Sequence, residues 1–408
     1  MRNKELKKKK ALTTLKVSRN VVMLTLAGVI GNTALSIYYP LYPLLALSIG
    51  VYMTGLGWIT TLSTLASAIT TIFLGRAADK YGRKKALTFS MLIRTIGIGL
   101  ASISKSFTPL AISTILVDLS FIMGMPAWNS LLVESAPEEA RGEAYGFSIT
   151  LRRIPGAAAP ALGGILAETI GIRGTLKLAA ITSLASVIAV ILLVKETSVN
   201  PKIKLLPNRR EIIEIFKPPE NLKWVYAATC IDRAGWSLWM FLPSAYAADR
   251  FKATPSQVGA LSSTLNTAWL IVQFPIGKLV DKIGEWKIMI LSEATGIISA
   301  LTIALAPNYK WLFPAWATMG ISISSWIPAL NTLISKLTKQ ENRAQEYAKI
   351  TSIRSIVSMP FPTIGGTLYE KISYKTPFLI STPFMTATIL IIKTKLSKTN
   401  NNSNIKPK

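Results

Sequence analysis

Histidine is absent from all 408 residues, and cysteine occurs once, at Cys230. No imidazole means no His general base, no His metal ligand and no His proton shuttle. One thiol cannot build an internal disulfide framework or a Cys-rich zinc site. Acidic residues are also scarce, with 20 Asp+Glu against 46 Lys+Arg, a formal net charge of +26. Such an excess usually points to a nucleic-acid partner. Here only 16% of residues are charged, half are apolar, and the mean hydropathy is +0.40. A soluble basic domain would place its cations on polar surfaces, so a nucleic-acid partner is excluded and the location of the cations becomes the question. No P-loop, nucleophile motif or His–carboxylate set occurs, so neither an enzyme nor a cofactor is expected.

What is present is long apolar runs. A membrane-crossing helix takes about 20 mostly apolar residues. Twelve runs qualify: 20–44, 53–76, 86–104, 109–133, 143–167, 175–195, 223–247, 255–279, 287–305, 310–335, 345–367 and 375–393. They predict an all-α polytopic membrane protein with the lipid bilayer as a partner. The first run is too long for a signal peptide's apolar core and is read as a retained helix. With the N-terminus placed inside, the inner loops and tails hold 32 of the 46 cations and the outer loops hold eight. By the positive-inside rule both termini face the cytoplasm, and the basic excess is mainly a topology signal.

The chain also repeats itself at an offset of 202. Gly57, Gly75, Asp79 and Gly82 recur as Gly259, Gly277, Asp281 and Gly284. Pro126, Asn129, Arg141 and Tyr145 recur as Pro328, Asn331, Arg343 and Tyr347. Arg152, Pro160, Gly163-Gly164 and Glu168 recur as Arg354, Pro362, Gly365-Gly366 and Glu370. Two homologous six-helix halves are expected, 20–195 and 223–393. A basic segment 1–19, a linker 196–222 and a tail 394–408 flank and join them. An even helix number per half relates the halves by an axis along the membrane normal.

The loop Gly75-Arg-Ala-Ala-Asp79-Lys-Tyr-Gly82-Arg83-Lys-Lys resembles the loop motif between helices two and three of the major facilitator superfamily, and Gly277 to Gly284 is a degenerate second copy. The stretch Glu134 to Gly146 resembles the family's connection between helices four and five. The resemblance covers essentially the whole chain and implies a transporter of two pseudo-twofold related bundles. It also implies that Asp79 latches onto the start of the eleventh helix. A carboxylate is favoured there by the exposed N–H groups and the helix dipole.

The repeat adds one expectation. At the offset of 202, Arg83 becomes Glu285 and Glu134 becomes Lys336. The family's arginine can contact an acid at the end of the fourth helix. An Arg83–Glu134 pair in the first half and a sign-swapped Glu285–Lys336 pair in the second are therefore predicted.

Ionisable residues within the spans are functional candidates by default. Here they are Arg94, Asp118, Arg152, Arg153, Asp232, Arg233, Glu293 and Arg354. In the resembled family helices 1, 4, 7 and 10 line the cavity, with 2, 5, 8 and 11 beside them. That favours Asp118, Asp232, Arg233, Arg152 and Arg354, with Asn32 on the first helix, over Arg94 and Glu293. Without histidine, proton coupling falls to the carboxylates Asp118 and Asp232; the other reading is that they neutralise arginines, for example Asp232 with Arg233 or with an arginine of a neighbouring helix. The fifth helix, Pro155-Gly156-Ala-Ala-Ala-Pro160-Ala-Leu-Gly163-Gly164, resembles a Gly/Pro motif of antiporter branches. It departs from that motif at Pro155 and Ala159, and the fourth helix lacks the arginine that drug–proton antiporters place near Ser120.

The expected function is transport of a small molecule across the cytoplasmic membrane by alternating access, as a monomer. Proton-coupled export of amphipathic compounds is the first reading, and uptake of an organic anion or sugar the second. A transporter-like sensor without turnover is the reading from another class.

Overall fold

In the computed structural model residues 18–197 and 217–397 are described. The rest of the basic segment, linker and tail lies outside them, as do the side chains of residues 71–79, 341 and 344. The first half contains α1 (Arg19–Ser48), α2 (Met53–Tyr81), α3 (Arg83–Ile103) and α4 (Phe107–Glu134). One long helix, Arg141–Leu193, is interrupted at Gly171 (φ 78°, ψ 158°) and thereby forms α5, 141–170, and α6, 172–193. The second half contains α7 in two pieces (Lys223–Ser237 and Pro243–Phe251), α8 (Pro255–Ile283), α9 (Glu285–Leu305) and α10 (Leu312–Leu337). It ends with α11 in two pieces (Arg343–Ser358 and Phe361–Lys371) and α12 (Thr376–Ile391), which runs on into a π turn. All twelve expected helices are present. Among the described residues six stretches are long and apolar enough to cross a membrane by length and composition alone, and one of them spans both α5 and α6.

Two of the expected single spans are broken, and proline explains each. Pro243 has no N–H for the carbonyl of Trp239, so that carbonyl takes the N–H of Leu242 instead, at 2.8 Å. Pro360 stands where the first half has Ala158, and α11 is interrupted at Met359-Pro360 while α5 continues. Elsewhere the repeat extends to backbone angles. Gly82 (φ 102°) and Gly284 (φ 95°) make the same tight link between α2 and α3 and between α8 and α9. Both need the positive φ that a side chain disfavours.

The loops divide between two ends. The basic end carries Ser18, the links at Gly82 and Gly284, the turns after α4 and α10, and Ser397. The far end carries the links after α1, α3, α5, α7, α9 and α11. One apolar core at the far end mixes residues of both halves, among them Leu45 and Leu56 with Trp239 and Tyr246. Towards the basic end the core splits. One cluster draws only on residues 21–194 and the other only on residues 222–396. The halves are joined at one end and parted at the other.

The join is one structural joint built twice, by α2 against α11 and by α5 against α8. A Cβ on Gly57 would lie 2.4 Å from the carbonyl oxygen of Pro362, and one on Gly259 2.2 Å from that of Pro160. Likewise a Cβ on Gly366 would lie 2.2 Å from the carbonyl oxygen of Met53, and one on Gly164 2.2 Å from that of Pro255. Between helices in lipid, close backbone approach at small residues replaces the hydrophobic drive available in water. Polar bonds repeat the pattern. Thr61 Oγ1 meets Thr363 Oγ1 at 2.9 Å, and the N–H of Ala161 donates to Ser263 Oγ at 3.1 Å. Glu370 accepts from Thr54, from its N–H at 3.0 Å and from its hydroxyl at 2.6 Å, capping α2. Glu168 accepts the N–H of Ser256 at 3.0 Å, capping α8. Every pair maps onto its counterpart at the offset of 202. Thr61 Oγ1 also donates to the Met359 carbonyl at 2.9 Å, beside the α2–α11 crossing.

Candidate functional site

Between the parted halves lies a cavity of about 620 Å³. It is closed at the far end by the double joint. Its wall runs down to Asn129 and Tyr145, and Tyr145, near the start of α5, is 39% exposed. The floor and walls are aromatic and apolar, with Tyr39, Tyr42, Phe121, Trp269 and Trp316 prominent, and Asn32, Asn129 and Asn266 add amide groups. Among the described residues two arginines, Arg152 and Arg153, line it, and no Asp or Glu does. A side pocket of about 30 Å³ reaches from Arg152 and Asn32 to Arg94 and Ser120.

The arginines are held by flat neighbours. The Arg152 guanidinium lies 3.9 Å from the ring centroid of Trp128, and that of Arg153 lies 3.6 Å from Trp269 across the half boundary. Stacking of this kind holds a cation by its face. Gly28 makes room for the first pair, since a Cβ there would lie 2.4 Å from Trp128 and 2.8 Å from Arg152. Asn32 donates to the carbonyl of Arg152 at 2.6 Å, tying α1 to α5. Arg94 is buried on α3, donating to Ser183 at 3.2 Å and to Ser186 at 2.8 Å, and Gly31 leaves space for it. Sequence reasoning placed Arg94 and Glu293 on peripheral helices, yet both side chains point into their bundles, 8% and 0% exposed.

Asp118 is not itself among the lining residues but is bonded to one that is, Tyr39. Tyr39 donates to one of its oxygens at 3.3 Å and Ser63 to the other. Asp232 pairs with Arg354 of the neighbouring helix at 3.0 Å, and Arg354 also donates to the carbonyl of Thr229 at 3.2 Å. Arg233 and Glu293 are the other charged neighbours of Asp232. The second half therefore gathers two cations and two acids. The first half holds three cations, Arg94, Arg152 and Arg153, and one acid, Asp118.

At the basic end both predicted ion pairs form. Arg83 meets Glu134, and Lys336 meets Glu285 at 2.6 Å. Glu285 is 1% exposed, whereas the Lys336 side chain is 49% exposed. Both pairs tie the start of one helix to the end of another within a half, so neither crosses between halves. Glu196, which sequence reasoning did not single out, accepts the N–H groups of Arg83 and Lys84 at 3.1 Å and so caps α3. Arg141 pairs locally with Glu138 at 3.1 Å, Arg343 reaches the Thr338 carbonyl at 3.4 Å, and Asp281 is exposed. A Cβ on Gly277 would meet open space. Gly75 lies within α2, and the side chains of residues 71–79, that of Asp79 among them, are outside those described, so the Asp79 latch is not among the contacts seen.

The sequence model of the Major Facilitator Superfamily matches residues 24–231 and 225–407. The multidrug resistance protein MdtG of Enterobacter lignolyticus (strain SCF1) is 24% identical over 376 residues, covering 89% of this chain and 88% of that protein. MdtG of Rahnella sp. (strain Y9602) is 23% identical over 376 residues, with 89% and 90% covered. Among solved structures, the nucleoside transporter NupG superposes with a TM-score of 0.74 at 13% identity, covering 91% of this chain and 98% of that one. A bacterial homologue of the iron transporter ferroportin in its inward-facing state gives a TM-score of 0.71 at 15% identity, with 92% and 98% covered.

Proposed function

Since the chain belongs to the Major Facilitator Superfamily and is a transporter of that fold, we propose that it exports amphipathic small molecules across the cytoplasmic membrane by proton-coupled alternating access. The carrying observation is the cavity of about 620 Å³ between the halves, sealed at one end by the double joint and open towards the other. That volume suits a drug-sized solute. Its aromatic walls suit an apolar body, and its asparagines and arginines supply a few directed polar contacts. The likeness to multidrug resistance proteins supports export. In this reading the basic end faces the cytoplasm and the structure is the cytoplasm-open state. Transport parts the Gly57/Pro362 and Gly259/Pro160 crossings and brings the basic ends together. Gly75, Asp79, Gly82 and Arg83, with their counterparts Gly277, Asp281, Gly284 and Glu285, then close that end, Asp79 engaging the start of α11.

With no histidine, the protons ride on carboxylates. Asp118 and Asp232 are the carriers in this reading. Tyr39 links the first to the cavity wall, and Arg354 and Glu293 compete for the second. Proton arrival at Asp232 would release Arg354, which sits on α11 beside the far-end crossing.

Reconstitution into proteoliposomes tests this reading. A fluorescent amphipathic dye should move from the basic-end side to the far-end side, faster when the far-end side is more acidic. A protonophore should abolish the acceleration. Absence of dye movement would overturn transport of this class, and movement indifferent to the gradient would overturn proton coupling.

A further inference from the structure

The repeat exposes an imbalance. Arg152 and Arg354 occupy the same place in the two halves. Arg354 has its acid, Asp232, at 3.0 Å. At the position 202 before Asp232 stands Ile30, which carries no charge. Arg152 has therefore kept its place without the partner that neutralises its twin. The charged side chains that act on it are two further cations, Arg94 and Arg153. Its Nε is buried and has no hydrogen-bond partner among the described residues. Arg94 is itself an addition of the first half, since the second has Gly296 at that position.

Local acids do not restore the balance. Both oxygens of Asp118 accept hydroxyl hydrogens, from Tyr39 and Ser63, and Asp118 is not among the charged groups acting on Arg152. The cavity thus carries two arginines and no carboxylate, with a third arginine at the end of the side pocket. A half-buried cation without an acid partner is held at a cost that an arriving anion reduces. The guanidinium is suited to that arrival. Its face is stacked on Trp128, which leaves its edge N–H groups for a planar, bidentate acceptor. Around it Phe121, Met125, Tyr39 and Trp269 present apolar surface to whatever body the anion carries.

We propose that the cavity selects amphipathic organic anions, an aromatic or alicyclic carboxylate or sulfonate being the preferred chemistry, with the anionic head at Arg152 and the apolar body against the aromatic wall. This rests on the transport reading for its purpose, but not for its test. Arg153 serves as the second cation, and its stacking on Trp269 makes it responsive to movement between the halves. The side pocket admits an oxygen of the head group, or one water between it and Arg94.

Three matched probes separate the charge from the body: 2-naphthoate, the neutral 2-naphthalenemethanol and 2-naphthylmethylammonium. Each is titrated by calorimetry into the purified full chain in detergent. The carboxylate should bind about tenfold or more tightly than the alcohol, and the ammonium most weakly, as one charge-assisted hydrogen bond implies. Arg152→Gln should remove that preference while leaving the alcohol within about twofold, and Arg152→Lys should retain part of it. Arg153→Gln gives a second variant if Arg152→Gln does not fold, and should narrow the preference by a smaller factor. Equal or tighter binding of the ammonium would overturn the proposal. So would failure of the carboxylate to bind, or a uniform loss for all three probes in Arg152→Gln. Selective binding of the carboxylate without flux in proteoliposomes would overturn the transport reading alone. Flux of the ammonium without binding of the carboxylate would overturn this proposal alone.

Discussion

The two sign-swapped ion pairs permit a quantitative test. Replacing Lys336 with Met takes the cation from a carboxylate that is 1% exposed and was 2.6 Å from it. Breaking a fully buried pair costs about 3–5 kcal/mol, because a buried charge loses its compensation. Lys336 is half exposed, so water already screens it and will replace part of what is lost. About 2 kcal/mol, below the fully buried range because of that screening, is the expected loss for Lys336→Met. Arg83 and Glu134, with side chains 17% and 31% exposed, should couple more weakly, by about 1 kcal/mol. The assay is a double-mutant cycle on unfolding in detergent, followed by tryptophan fluorescence, with transport measured in parallel. Lys336→Glu should be worse than Lys336→Met, since it sets two carboxylates together, and adding Glu285→Lys should recover most of the loss. Glu134→Arg should impair transport, and adding Arg83→Glu should partly restore it. Effects that add within about 0.4 kcal/mol in both cycles would refute the pairing. Rescue in one half only would refute the claim that both halves use the same contact with the charges exchanged.

Other outcomes follow from the joint and the buried network. Gly259→Val should prevent the far end from closing, because its Cβ would already lie 2.2 Å from the Pro160 carbonyl oxygen. An impermeant maleimide applied from the far-end side should then label Ser262→Cys in a Cys230→Ser background, and transport should stop. Glu168→Gln combined with Glu370→Gln should raise the same labelling several-fold without unfolding the protein, since each loses a charged cap on a helix of the other half. Asp232→Asn should cost about 3 kcal/mol of stability by leaving Arg354 and Arg233 with Glu293 alone. Combining it with Arg354→Gln should cost less than the sum of the two single changes, as read from the same unfolding assay.

Much of this architecture is legible in the sequence because it is written twice. The recurrence of Gly57, Pro160, Gly164 and Glu168 at a fixed offset marked positions that turn out to be the two crossings, where only small residues and a fixed cap fit. The exchange of Arg83 for Glu285 and of Glu134 for Lys336 was readable because a charge pair constrains both partners. What the sequence did not disclose are contacts without periodicity. Ser63 is one of many hydroxyls in the spans, and only the fold brings it to Asp118. Glu293 lies on a helix that the family resemblance makes peripheral, but its side chain faces inward against Asp232. Gly28 and Gly31 fall in an apolar run where glycine is common in membrane helices, and their task of seating Arg152 with Trp128, and Arg94, depends on helices distant in the chain. The breaks in α7 and α11 were hidden because hydropathy counts apolar residues and ignores the missing N–H of Pro243 and Pro360.

The central claim is that access to the cavity is switched at the double joint. Spin labels on Tyr52→Cys and Ile372→Cys, both exposed at the far end, in a Cys230→Ser background would report it as a distance distribution. The account predicts a short population matching this structure and a longer one that Gly57→Val and Gly259→Val enrich. A single short distance, unchanged by either substitution in a protein that still transports, would contradict it.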